Sequence, residues 1–127
     1  PGEKKSSDTM GTKHFVEFGL YRMMGSINVQ LAEKTGFSEA DAELVKEALR
    51  TLFINDASSA RPDGSMEVIS VYWWRHNNKI GQYSAAKVHD SLKITLKEGV
   101  VAAASVEDYE IRVENLPGLE PEIIAGI

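Results

Sequence analysis

The chain has 127 residues, 43% of them hydrophobic and 26% charged, and a net charge of −5 at pH 7. This length and composition fit one soluble globular domain, and no apolar run is long enough to cross a membrane. The absence of cysteine excludes disulfides, thiolate metal sites and a cysteine nucleophile, and it fits a reducing cytoplasm. Residues 1–8 are polar, rich in turn formers and lack an initiator methionine, which we interpret as a fragment that begins inside a loop.

The charges are distributed unevenly along the sequence. Residues 75–97 carry five Lys or Arg residues against one Asp, a net charge of +4. Residues 33–67 carry four basic and eight acidic residues, and the chain from Glu98 onward carries one Arg and seven acidic residues. A basic segment between two acidic ones is either a solvated surface or a phosphate-binding region, and the charge alone leaves both open.

The first predicted elements are a strand and a long helix. An extended segment rich in β-formers runs from His14 to Leu31. A helix from about Glu39 to Asn55 follows, because Ser38 is a good N-cap and acidic residues occupy the first turn. The apolar stripe of this helix is expected to face the core and consists of Val45, Ala48, Leu49, Leu52 and Phe53.

The second half of the chain predicts shorter elements. A strand from Met66 to His76 is apolar on both faces, which is typical of a covered central strand. Trp73 and Trp74 are consecutive in that strand, so their side chains must lie on opposite faces. The other predicted elements are a turn at 58–65, a short helix at 84–92, strands at 93–97 and 109–114 that pair in pattern, and a loosely held tail at 117–127. The order of elements indicates an α+β fold.

No motif of a catalytic or metal site is present. The sequence has no phosphate-binding glycine loop, no dinucleotide fingerprint and no nucleophile elbow. His14, His76 and His89 lack the spacing of ligands on one helix, so ordinary hydrogen-bonding histidines are the favoured interpretation. We therefore expect no catalytic residue, no metal and no cofactor.

Two segments have the residue types of an RNA contact. Tyr72–His76 joins aromatic rings, which stack on bases, to an arginine. One face of that strand is expected to fill the core instead. Met10–His14 places a glycine beside Lys13 and His14, and glycine lets a backbone approach phosphates closely.

Five stretches between residues 8 and 97 occur in a specific order and spacing: Met10–His14, Phe18–Arg22, Leu31–Asp41, Ser59–Arg61 and Lys79–Gly81. Together they resemble the seventh family of CRISPR-associated (Cas) proteins in its subtype C form. That family supplies the repeated backbone of the type I Cascade complex. Beyond Lys97 the resemblance is weaker.

The resemblance implies the C-terminal half of an RNA-recognition-motif-like (ferredoxin-like) palm. Residues 1–13 would be a flexible loop ending the thumb, residues 14–116 the strand–helix–strand half of the palm with a short helix and C-terminal strands added, and residues 117–127 a tail. The missing first half would leave a sheet edge uncovered. Since such an edge tends to pair with another chain, we predict that the isolated fragment forms a homodimer.

The resemblance also implies a function, that of a non-catalytic subunit gripping the phosphates of a guide RNA (crRNA). Its partners would be copies of itself and other Cascade subunits, with target DNA met indirectly, in the cytoplasm and without a membrane. The residues that would bind RNA are Lys13, His14, Arg22, Arg61, Arg75 and Lys79.

Two alternatives stay open. One is an α+β protein-interaction module that binds no RNA. The other is a small metal-independent ribonuclease with His14 or His89 as general base. A steep loss of RNA affinity with rising salt separates the backbone subunit from the interaction module, because phosphate contacts release counterions. Metal-free cleavage that disappears in His14→Ala would support the ribonuclease.

Overall fold

The computed structural model describes residues 17–54 and 64–127, and within these ranges the chain is a mixture of helices and short strands. The predicted α+β class is therefore confirmed. Predictions for residues 1–16 and 55–63, including most of the 58–65 turn, lie outside the described residues. The elements are α1 (Val29–Thr35), α2 (Glu39–Arg50), β1 (Ser70–Trp74), α3 (Ala85–Asp90), β2 (Leu92–Leu96), a 3-10 helix (Val106–Asp108), β3 (Tyr109–Val113) and β4 (Pro121–Ala125).

The chain forms two compact units. The described part of the first consists of residues 17–22 and 94–111, and the described part of the second consists of residues 23–54, 64–93 and 112–127. The proposed division at residues 13/14 and 116/117 is a separate prediction that these units do not test.

The predicted strand from His14 to Leu31 is wrong over the part that the structure describes. Residues 17–28 form no strand, and α1 begins at Val29. The reason is local capping: the Asn28 side chain accepts a hydrogen bond from the Leu31 N–H at 3.0 Å, and Gly36 ends the helix with φ at 78°. These two caps outweigh the alternation of β-branched residues.

Helix α2 begins where the sequence predicts and ends earlier. Ser38 and Asp41 form a reciprocal capping box, with the Asp41 N–H donating to the Ser38 hydroxyl at 3.2 Å. The helix ends at Arg50 rather than near Asn55, since Thr51 leaves helical geometry and the chain tightens into a turn.

The expected core stripe of α2 is wrong for most of its residues. Val45 and Leu52 are 37% and 45% exposed and Ala48 is exposed, Leu49 and Phe53 are half-buried, and Lys46 is only 9% exposed. Lys46 faces β1 because its ammonium group meets the Glu122 carboxylate at 2.8 Å and lies 5.0 Å from the centroid of the Trp73 ring. An ion pair and a cation–π contact thus determine which face of the helix is buried.

Strands β1 and β4 form an antiparallel pair in which Ser70 lies opposite Ala125 and Trp74 opposite Pro121. The expectation that residues 117–127 are loosely held is therefore wrong. The pairing continues past the strand, because the Gly126 N–H donates to the Ile69 carbonyl at 3.1 Å.

The predicted covered central strand from Met66 to His76 is also wrong in extent and environment. The observed strand is five residues long, and only Val71 is buried, at 8% exposure. Across the described ranges β1 pairs with β4 alone. Trp73 faces α2 and Trp74 packs on the opposite side, so the prediction that the two rings point apart is confirmed.

The core of the second unit lies beside α3 and the turn before β4. It consists of Val88 (4% exposed), Leu116 (7%) and Leu119 (2%), with Trp74 and Tyr83 packed against it. Ser84 caps α3 as expected of the predicted short helix.

Strands β2 and β3 pair as the sequence predicts. The Glu114 N–H donates to the Ser91 carbonyl at 2.7 Å, and the Lys97 N–H donates to the Asp108 carbonyl at 2.9 Å. In the first unit the rings of Phe18 and Tyr109 lie 6.3 Å apart.

Candidate nucleic-acid interface

Two predicted RNA-binding residues, Arg75 and Lys79, lie just after β1 in the second unit. The Arg75 guanidinium contacts the Glu39 carboxylate of α2 at 2.5 Å, and the Lys79 ammonium contacts the Glu33 carboxylate of α1 at 2.8 Å. Both basic side chains remain largely exposed, at 68% and 65%. The structure therefore positions both cations on the surface next to α1 and α2.

These exposed ion pairs are weak. A pair of this kind contributes about 0–1 kcal/mol in water, so a phosphate oxygen can replace the carboxylate at little cost. The same carboxylates oppose an approaching phosphate while they remain in place. An anion can thus bind Arg75 and Lys79, and the acidic partners lower the affinity of that binding.

Two further cations of the 75–97 segment, Lys87 and Lys93, have contacts of their own. Lys93 lies 3.1 Å from Asp90 and 3.4 Å from Glu114, and its hydrogen bond to Asp90 raises its pKa above the usual value. Lys87 lies 5.6 Å from the centroid of the Tyr83 ring. Acidic partners thus offset much of the net charge of +4 that the sequence shows for this segment.

Residues 76–82, here called the 76–82 loop, are held by hydrogen bonds to side chains. The Asn77 N–H donates to the Gln82 amide oxygen at 2.8 Å, and the Gly81 N–H donates to the Asn78 amide oxygen at 2.7 Å. The Gln82 N–H donates to Nδ1 of His76 at 2.8 Å. Gly81 has φ at 100°, a backbone conformation that glycine adopts without strain.

The 76–82 loop is also tied to the core of the second unit. The Gln82 side-chain amide donates to the Gly118 carbonyl at 2.8 Å, and the Tyr83 hydroxyl donates to the Pro117 carbonyl. Both carbonyls lie in the turn that carries the buried Leu119. These two hydrogen bonds therefore fix the 76–82 loop to the packed core of the second unit.

The other four predicted RNA-binding residues lie in the first unit or outside the described residues. Arg22 is exposed and belongs to the first unit. Lys13, His14 and Arg61 lie outside the described residues. Arg75 and Lys79 are the members of this set that the described part of the second unit contains.

The aromatic segment 72–76 serves mainly as core. Trp73 lies under Lys46, and Trp74 packs on the cluster of Val88, Leu116 and Leu119. Tyr72 stacks on Trp74 with ring centroids 6.2 Å apart. The predicted core role therefore holds for Trp74, whereas Trp73 and Tyr72 are half-buried.

His76 and His89 both make hydrogen bonds with the backbone. His76 accepts from Gln82, and Nε2 of His89 lies 3.1 Å from the Gly25 carbonyl, to which a ring N–H must donate. Residues 17–54 and 64–127 contain no group of three or more side chains suited to hold a metal. Over the same ranges no helix is long and apolar enough to span a bilayer.

Sequence reasoning missed the 76–82 loop as a structured element and Lys46 as a buried cation. The signal for the loop was present: Asn77 and Asn78 precede Gly81, and short amides close local turns. No signal within α2 identified Lys46, because its partner Glu122 lies 76 positions away.

The second unit thus defines an α+β protein with exposed cations beside a hydrogen-bonded surface loop. The family model for CRISPR-associated protein Cas7 matches residues 1–114, and the chain belongs to this family. The family indicates a backbone subunit of a CRISPR effector complex. A search of curated proteins finds no match.

Proposed function

We propose that the chain is the C-terminal half of a subtype C backbone subunit, one that binds guide RNA without cleaving it. The family match over residues 1–114 carries the proposal. The surface positions of Arg75 and Lys79 support it, since both cations stay more than half exposed on the same unit. Phosphate contacts of this kind fix the register of an RNA and carry no sequence information.

Copies of the chain line up along one guide in this proposal, with other subunits of a Cascade complex and the target DNA beside them, in the cytoplasm. The isolated chain forms a homodimer. Supporting this, β1 has a single strand neighbour in the described ranges, and unpaired strand edges favour pairing with another chain. A monomer at high concentration in solution scattering would contradict the dimer.

The first test is binding of the chain to single-stranded guide-like RNA across a salt series. We expect Lys79→Ala to weaken binding and to lower the slope of log affinity against log salt by about 0.7, the value for one phosphate of a single strand. Lys34→Ala is the matched control, because Lys34 is an exposed cation of α1 without an ion pair in the described residues. Equal slopes for the chain and both variants would exclude a Lys79–phosphate contact.

Glu33→Gln should act in the opposite direction. It removes the carboxylate that holds Lys79 at 2.8 Å, so the ammonium group becomes fully available to phosphate. We expect RNA binding at low salt to tighten about two- to fivefold, the range that a surface ion pair allows. Glu98→Gln, with the same charge change on an exposed residue of the first unit, is the control. Equal gains in both variants would indicate a general charge effect.

A separate experiment tests the proposal that the chain does not cleave RNA. Because Nε2 of His89 donates to the Gly25 carbonyl, a general-base role would have to use the other ring nitrogen, Nδ1. We expect guide-like RNA to remain intact after incubation without metal. Cleavage that is lost in His14→Ala or His89→Ala would replace the backbone proposal with the ribonuclease. Failure of the chain to bind RNA would favour the protein-interaction module.

A further inference from the structure

The 76–82 loop presents one aliphatic side chain almost completely to solvent. Ile80 is 90% exposed, although both neighbours in sequence belong to a loop ordered by hydrogen bonds. A single exposed aliphatic residue is common on protein surfaces and carries no meaning by itself. The surroundings of Ile80 are what distinguish it.

The first distinguishing feature is rigidity. Side chains of Asn78, Gln82 and His76 accept the loop's own N–H groups. Gln82 also bonds to Gly118, next to the buried Leu119. A side chain on such a loop loses little conformational freedom when it meets a partner, and preorganisation of this kind favours binding.

The second feature is the polar chemistry around Ile80. Lys79 precedes it, with its ammonium group 65% exposed. No acceptor within the described ranges takes the backbone N–H of Lys79 or Ile80. A cation and two N–H groups that have no acceptor among the described residues are suited to phosphate oxygens, which accept from lysine and from backbone amides.

An apolar side chain beside phosphate-binding groups matches nucleic acid better than protein. Isoleucine is among the side chains that proteins place against base faces or between base steps. We propose that Ile80 packs against a base of the bound RNA while Lys79 and the adjacent N–H groups hold the neighbouring phosphate. The inference rests on the proposed RNA binding, and it assigns the contact with a base of that RNA to Ile80.

The test compares RNA binding by Ile80→Gln with that of the unchanged chain. We expect about fivefold weaker binding, since an apolar contact of roughly half a side chain is lost. The salt dependence should stay the same, because no charge changes, whereas Lys79→Ala lowers it. Ile80→Val should retain most of the affinity.

Val101→Gln is the matched control, since Val101 is 95% exposed and lies in the first unit. A fluorescent base analogue in the RNA supplies a second readout, and its signal on binding should change in Ile80→Gln alone. Tryptophan fluorescence checks folding, because Trp73 and Trp74 are both in the second unit.

The outcomes separate the inference from the proposed function. Salt-sensitive binding that is equal in the chain and Ile80→Gln overturns the base contact and leaves the backbone proposal standing. Absence of RNA binding by the unchanged chain overturns both. Unchanged RNA binding with reduced self-association in Ile80→Gln would assign Ile80 to a contact with a second copy and overturn the inference.

Discussion

Leu119→Ala should destabilise the chain by about 2–4 kcal/mol, the range for removing a buried leucine side chain and leaving a cavity. Leu119 is 2% exposed, the lowest value in its core cluster, and Trp74 packs against that cluster. Denaturant unfolding followed by tryptophan fluorescence measures the change directly. The midpoint should fall while the denaturant dependence stays the same.

Leu44→Ala is the control for this experiment. It makes the same leucine-to-alanine change at a residue that is 68% exposed. Surface substitutions usually alter the free energy of unfolding by about 0.5 kcal/mol or less. Equal effects of the two substitutions would mean that the turn carrying Leu119 is not packed in solution. The loosely held tail of the sequence-based prediction would then be right.

Lys46→Ala should cost about 1–2 kcal/mol. The buried stem packs against β1, and the ammonium group meets Glu122 at 2.8 Å and Glu43 at 3.1 Å. The expected loss of stability is smaller than for a fully buried ion pair. Glu122 is 58% exposed, so water can solvate its carboxylate once Lys46 is replaced. Lys46→Met keeps most of the apolar volume and isolates the charge, so its cost should be smaller.

The pH dependence of this effect has a definite sign. The hydrogen bond to Glu122, partly opposed by burial, raises the pKa of Lys46 above its usual value. A raised folded-state pKa gives stability that is fully present below the unfolded value of about 10.4 and is lost as pH rises through the folded value. The difference between the chain and Lys46→Met should therefore stay constant up to about pH 10.4 and shrink only as the pH rises above that value. A difference that stays unchanged above that pH would contradict the ion pair.

Local signals in the sequence predicted local structure well. Ser38 with Asp41 located the start of α2, the short helix predicted at 84–92 contains α3, and the matching patterns of residues 93–97 and 109–114 predicted the pairing of β2 with β3. Each of these depends on residues close in sequence. Capping and hairpin formation involve short loops, so their physics is visible in a short window.

Long-range partners explain the failures. The burial of Lys46 depends on Glu122, and the order of residues 121–125 depends on β1. Nothing within either segment identifies its partner. The strand predicted up to Leu31 failed for a local reason, since the Asn28 cap and the left-handed Gly36 bound a helix in a segment rich in β-formers.

The candidate site, too, was predicted from the sequence only in part. Charge counting located Arg75 and Lys79 on an exposed surface, but it could not reveal that Glu39 and Glu33 neutralise them. It also grouped Lys93 with them, although the Lys93 ammonium group forms ion pairs with Asp90 and Glu114. A net charge over a segment is a sum, and only the fold shows which charges cancel each other.

The pairing of β1 with β4 has a consequence for synthesis. Trp73 lies opposite Glu122, about 50 residues later in the chain. At roughly 5–20 residues per second, a ribosome needs several seconds to make the partner strand after β1 appears. During that interval β1 presents Val71 and two tryptophans without β4, which is a period of exposure to aggregation. The nascent chain therefore depends on early cover from α2, which is already made, or from a chaperone.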